Sequence, residues 1–174
     1  MMCDNPFYSE EENFQWERLY RSSRLGDKVR VIPRQKTQED VYNIMSQTDC
    51  GVFPSKAEGW NLELLEMMSC GKSVIATDYS SHTEFCNKDN CKLIEIKETE
   101  EAQDGKWFRG QGNWAKIEEE QISQLAEAMR EVHELKKKDE LNINQNGVDT
   151  AKSFSWESSA RKILEALEKN DSHT

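Results

Sequence analysis

Glu58-Gly59-Trp60-Asn61-Leu62-Glu63-Leu64-Leu65-Glu66 places two carboxylates eight residues apart across the start of a helical pattern. Just before it, Cys50-Gly51-Val52-Phe53-Pro54-Ser55 is a short apolar run that ends in a turn signal, and just after it Ser73-Val74-Ile75-Ala76-Thr77-Asp78 is rich in β-branched residues. Between the two runs Leu62, Leu65 and Met68 repeat at helical spacing, and Gly71 holds the glycine position expected after a helix. The unit reads strand, loop, helix, strand. A parallel crossover of this kind sends its loop to the carboxyl edge of the sheet, where open α/β folds bind ligands. There the amides of Trp60, Asn61 and Leu62 at the helix mouth suit a diphosphate. The two carboxylates suit hydroxyl donors on either side, since each offers about four lone-pair sites. The chemistry that fits is a nucleotide sugar.

The same alternation extends outward. Ser9 and Glu12 form a capping box for a helix with Trp16, Leu19 and Tyr20 on one face, which Leu25-Gly26 is expected to end. Val29-Arg30-Val31-Ile32-Pro33 reads as a strand, and Thr37 with Asp40 caps a helix carrying Val41, Ile44 and Met45. A short helix through His82 to Cys86 and a strand Lys92-Leu93-Ile94-Glu95-Ile96 follow. Residues 97 to 113 turn polar and glycine-containing, so a long loop is expected, with Trp107 and Phe108 as its anchors; its tryptophans either line a sugar pocket or cover the sheet edge, and covering is the commoner role of aromatics. Ile117, Ile122, Leu125, Met129, Val132 and Leu135 then mark a longer helix, with Lys136-Lys137-Lys138 at its cation-favouring end. Two last helices cover residues 148 to 153 and, capped by Ser155, 156 to 167. With five strand candidates and intervening helices, the expected fold is α/β, a Rossmann-like, doubly wound and mostly parallel sheet.

A chain of 174 residues holds one sizeable core. A charged fraction of 32%, a mean hydropathy of -0.89, a formal net charge of -10 and a pI near 4.9 argue against nucleic acid or a membrane surface as partner. No run approaches the roughly 20 apolar residues of a membrane span, and no signal-peptide pattern opens the chain, so a cytoplasmic setting is expected. The five cysteines lack Cys-x-x-Cys spacing, and His82, Cys86 and Cys91 want a fourth ligand, so neither a metal nor a cofactor is expected.

The stretch from Val52 to Gly71, followed by Val74-Ile75-Ala76-Thr77-Asp78-Tyr79 and His82-Thr83-Glu84-Phe85, resembles the carboxyl-terminal half of the group 1 glycosyltransferases, family 4, of GT-B architecture. The marks are a Pro-Ser strand end, a Glu-Gly-aromatic loop, the paired glutamates, Cys-Gly, and a strand ending Thr-Asp. Trp107-Phe108 with Gly110, Gly112 and Trp114, and Phe154-Ser155-Trp156-Glu157, resemble later segments more loosely. The resemblance implies that Glu58 contacts the donor sugar as the catalytic carboxylate and that Glu66 binds the ribose. It further implies that Gly59, Trp60, Asn61 and Leu62 hold the diphosphate of a UDP-, GDP- or ADP-sugar. His82 and Glu84 fall close to that loop, and Arg34 and Gln35 fall at another strand end, where relatives seat the base.

The chain departs from the family in two ways. Asn61-Leu62-Glu63 stands where members often have Gly-Leu-Pro, and neither the basic pair that neutralises the leaving diphosphate nor an acceptor-binding domain has a match. Met1-Met2-Cys3-Asp4-Asn5-Pro6 reads like the end of a strand entering a turn. Residues 1 to 174 are therefore expected to form a partial donor-binding domain, inactive alone, whose acceptor domain is missing or sits on another chain. In the full enzyme the resemblance implies hexose transfer, retaining and metal-independent. The alternative is a non-catalytic flavodoxin-like interaction domain that has lost the ligand, which Asn61 and Glu63 favour.

Overall fold

The structure, a computed structural model, describes residues 8 to 171. Two compact units divide the chain, residues 1 to 41 and 42 to 174. In the first unit α1 (Glu10–Arg21) starts at the expected capping box: the Ser9 hydroxyl accepts from the Glu12 N–H, and the Ser9 N–H donates to the Glu12 carboxylate at 2.8 Å. It stops at Arg21, a turn earlier than Leu25-Gly26, and a 3₁₀ turn covers Gly26–Lys28. Residues 29 to 33 join no ladder, contrary to the expected strand. Their β-branched pattern is satisfied only by a neighbouring strand, which they do not have among the described residues. The stretch Met1 to Pro6 lies outside the described residues. The helix α2 (Gln38–Ser46) runs across the division, with Asp40 N–H donating to the Thr37 hydroxyl at 3.1 Å.

The second unit is built on a parallel sheet in the order β1 (Cys50–Phe53), β2 (Ser73–Thr77), β3 (Lys92–Ile94). Cys50 pairs with Ser73 and Phe53 with Ala76, while Ile75 pairs with Lys92 and Thr77 with Ile94. The central strand is buried on both faces, as its unbroken Val-Ile-Ala-Thr run requires. On one face Ile75, Ile94 and Val132 form the core with Leu125, Ala128 and Cys50, which places α4 (Glu119–Lys137) there. On the other face lie Gly51 and Val74, and α3 (Leu62–Ser69) packs so closely that a Cβ on Gly51 would stand 3.0 Å from Met67 Cγ. Helices on both faces of a parallel sheet make the fold α/β and doubly wound, with three strands in the sheet among the described residues.

The polar stretch after β3 is a hairpin, where a loop was expected: β4 (Thr99–Gln103) pairs antiparallel with β5 (Arg109–Ala115), with a bulge between Glu101 and Gln103. Trp107 and Phe108 at its tip are 59% and 50% exposed, so they do not cover the sheet edge. Next, α5 (Gln145–Ser153) packs on α3, and α6 (Trp156–Asp171) follows, with the Ser155 hydroxyl accepting from Ser158 N–H. The Asn144 side chain caps α5 through Gly147 N–H and donates to the carbonyls of Lys72 and Asn90, which locks α5 to the sheet.

Candidate functional site

Three segments meet at the carboxyl ends of β1 and β2: the loop from Pro54 to Asn61, the mouth of α3, and the 3₁₀ turn Ser80–Glu84. The Thr77 hydroxyl donates to the Ser55 carbonyl at 2.7 Å, tying the loop to the end of β2. The Ser80 hydroxyl accepts from Glu58 N–H at 2.8 Å and lies 3.1 Å from the Glu58 carbonyl, to which it donates. The Ser55 hydroxyl donates to Glu58 Oε1 at 2.6 Å. Glu58, half-buried, is thus fixed at its backbone and at one carboxylate oxygen. The other oxygen makes no protein hydrogen bond among the described residues.

Asn61 occupies the left-handed region at φ 67, where glycine is the usual residue. A backbone that favours glycine is therefore held here by a residue with a side chain, and that side chain is buried and used. Its Oδ1 accepts from Leu64 N–H at 3.1 Å, capping α3, and its Nδ2 donates to His82 Nε2 at 2.8 Å. On the other side His82 Nδ1 lies 2.9 Å from the Thr77 carbonyl, which only accepts, so the Nδ1–H tautomer is assigned. At 1% exposure His82 has both ring nitrogens engaged within the protein. Ser80 also takes a left-handed φ, of 52, so two of the three described non-glycine residues with such angles belong to this loop system.

Trp60 is held by rings: Phe85 and Phe154 each lie 5.4 Å from it, and they lie 5.9 Å from one another. Glu66, in the second turn of α3, is half-buried, and its carboxylate has no hydrogen-bond or ion-pair partner among the described residues. Burial, and then the Glu63 charge one turn earlier, raise its pKa above the ordinary carboxylate value. Glu63 and Leu62 are exposed. Among the described residues the N–H groups of Gly59, Trp60 and Leu62 find no acceptor, and the Ser81 hydroxyl is the one buried side-chain polar atom without a partner.

The structure therefore brings Glu58, Gly59, Trp60, Asn61, Leu62 and His82 into one loop system, with Glu66 a turn further along α3. Glu84 is exposed at the end of the 3₁₀ turn. Arg34, exposed, and Gln35, which donates to the Pro33 carbonyl, lie in the first unit. The sequence reading missed Ser55, Thr77 and Ser80 as loop holders. The Pro54-Ser55 strand end and the Ser80-Ser81 pair after Tyr79 were the available signals. It also missed the hairpin docking on the loop, where Ala115 N–H donates to the Lys56 carbonyl at 2.7 Å and the Tyr79 hydroxyl to the Asn113 carbonyl at 3.2 Å. Among the described residues no cluster of three or more His, Cys, Asp or Glu is placed to hold a metal.

An anchored carboxylate, a free carboxylate and unpaired amides at a helix mouth thus gather on the carboxyl edge of a parallel sheet, the edge where open α/β folds bind ligands. Residues 2–106 match the family described as glycosyl transferases group 1, and the chain belongs to that family. In fold it is similar to a sucrose-phosphate synthase from Thermosynechococcus elongatus, with a TM-score of 0.68 at 20% identity over 99% of this chain and 38% of that one. It is also similar to a chain of a GtfA/B complex, with a TM-score of 0.66 at 16% identity over 93% of this chain and 28% of that one. The chain thus spans well under half the length of these solved structures. No curated protein matches it by sequence. Within the described residues no helix is long and apolar enough to cross a membrane.

Proposed function

We propose that this chain is the donor-binding part of a glycosyltransferase. It holds a nucleoside-diphosphate sugar, and in the full enzyme it passes a hexose to an acceptor with retained configuration and without a divalent ion. Glu58 orients the sugar with its open carboxylate oxygen. The amides of Gly59, Trp60 and Leu62 receive the diphosphate and stabilise it as it leaves, a role that fixed dipoles perform without a metal. Glu66 accepts from the ribose hydroxyls. His82 touches no ligand in this reading; with Asn61 it sets the angle at which α3 meets the loop. Glu84 remains a candidate for the rim. The four described cysteines are free thiols, which suits the cytoplasmic setting.

The observation that carries this reading is the contrast inside one loop. Nearly every polar group that shapes it is satisfied internally, and the groups left over are the ones a sugar diphosphate requires. The experiment is calorimetric titration of the chain with UDP-glucose, GDP-mannose and ADP-glucose, with and without EDTA. Saturable binding of one donor, unchanged by EDTA and lost in Glu66→Ala, is expected. Silence toward all three refutes the reading and favours an interaction domain, for which Glu63 close to Glu66 is the supporting feature. The chain alone is expected to turn over nothing; donor hydrolysis that Glu66→Ala abolishes would show that it carries the whole catalytic apparatus.

A further inference from the structure

The hairpin holds two exposed aromatic rings that the donor site does not use. We propose that Trp107 and Phe108 form a stacking platform for an uncharged saccharide. That the saccharide is the acceptor rests on the donor-site reading; the platform itself does not.

The backbone beneath the rings is fixed in advance. One Asp104 carboxylate oxygen accepts from the N–H groups of Lys106, Trp107 and Phe108 at 2.8, 2.8 and 2.9 Å, and Asp104 N–H donates to the Phe108 carbonyl at 3.1 Å. These backbone bonds, that of Phe108 foremost, hold the Asp104 carboxyl below the usual carboxylate range. Phe108 stands edge-on to Trp114 at 5.8 Å, and the Lys56 ammonium lies 5.0 Å from the Trp114 ring. Trp114 in turn donates its indole N–H to Glu100, which also pairs with Lys56. These two steps put the Phe108 ring within about 11 Å of a side chain two residues from Glu58. A pre-set turn lowers the ordering cost of a ligand that binds it.

The composition selects the occupant. Residues 99 to 115 contain no valine, leucine, isoleucine or methionine, although large aromatics are exposed, so this is not the mixed apolar patch of an ordinary protein contact. Residues 99 to 115 carry two basic and three acidic side chains in a chain whose net charge is -10, so the hairpin is close to neutral, which suits an uncharged ligand. The C–H face of a pyranose stacks on an aromatic face, whose quadrupole is negative there, while its rim hydroxyls need polar partners. Arg109, which forms no ion pair among the described residues, and Asn113 are exposed polar side chains on the same hairpin and are the candidates to supply them. The Cβ side of Gly112 is open space, so the rim is accessible.

The test is ¹⁵N NMR of the tryptophan indole N–H groups of the full chain, titrated with maltohexaose, cellohexaose and chitohexaose. One of these probes is expected to shift the Trp107 cross-peak saturably. Trp107→Ala should weaken that binding about tenfold, and Trp107→Phe should keep most of it, since the π face is retained. Because Trp107 is largely exposed, neither variant threatens the fold. Glu66→Ala should leave saccharide binding unchanged even if the donor titration is silent, which separates this proposal from the donor reading. The proposal is overturned if no probe moves the Trp107 peak or if Trp107→Ala binds like the parent. Concentration-dependent self-association that Trp107→Ala abolishes would also overturn it, since the rings would then be a protein contact.

Discussion

Asn61 is the residue whose loss should be most informative, because three separate contributions converge on it. In Asn61→Ala the α3 cap is lost, at about 1 kcal/mol. A Cβ at φ 67 without the compensating side chain costs roughly 1 to 2 kcal/mol more. Leaving the buried His82 Nε2 unpaired adds about 1 to 3 kcal/mol. Because contributions at one residue overlap, about 3 to 4 kcal/mol in total is expected, against about 2 for Asn61→Gly, which keeps the backbone angle and loses little as a cap. Urea denaturation of the two variants, followed by circular dichroism, measures both values. The reasoning fails if Asn61→Ala lies within about 0.5 kcal/mol of the parent, the range of an ordinary surface change. It fails equally if Gly and Ala are equally damaging, since the backbone angle would then carry no cost.

Glu66 gives a pH signature. Its pKa is raised in the folded chain, so folding loses stability as pH rises from the unfolded value through the folded one, and Glu66→Gln should gain on the parent over that window and match it below. Urea midpoints at pH 4 and pH 7 read the difference; a variant that is relatively weaker at pH 7 has the opposite sign. Gly51→Ala should destabilise by about 1 to 3 kcal/mol, since its Cβ would meet the Phe53 ring at 2.6 Å and Met67 at 3.0 Å, and thermal melting checks this. Burial pushes the Cys50 thiol up to about 11, and the Cys86 hydrogen bond with burial pushes Cys91 up too. Both should therefore resist iodoacetamide at pH 8 in the native chain and react in urea, as mass spectrometry would show; rapid native labelling of either contradicts the packing described.

The strand-loop-helix-strand unit from Cys50 to Asp78 was legible because its signals are local: apolar runs, a helical repeat, and a glycine that takes φ 70 at Gly71. The helices around it were legible for the same reason, through Ser9 and Glu12, Thr37 and Asp40, and Ser155. Residues 99 to 115 misled because their glutamates, glutamines and glycines have little intrinsic preference for strands. The hairpin depends on partners far away in sequence, Lys56 against Glu100 and Trp114. Residues 29 to 33 misled in the opposite direction, having the strand pattern without a ladder. At the site, the paired glutamates were visible as a motif. The link between Asn61 and His82 was not, since 21 residues separate them, and Asn61 read as a diphosphate holder and His82 only as a neighbour of that loop. Their partnership is a property of the fold, created when β2 brings the following turn beside the helix mouth.

The aromatic triad around Trp60 has a consequence for how the chain comes to be made. Phe154 lies immediately after α5, almost a hundred residues downstream of the ring it stacks on. A nascent chain that has released only its first 143 residues already contains every strand, α3 and both glutamates, but it lacks one wall of the clamp and the asparagine that seats α5. The loop from Pro54 to Asn61 therefore reaches its final shape only after Phe154 has emerged from the ribosome, and until then a chaperone would meet this edge of the sheet unset.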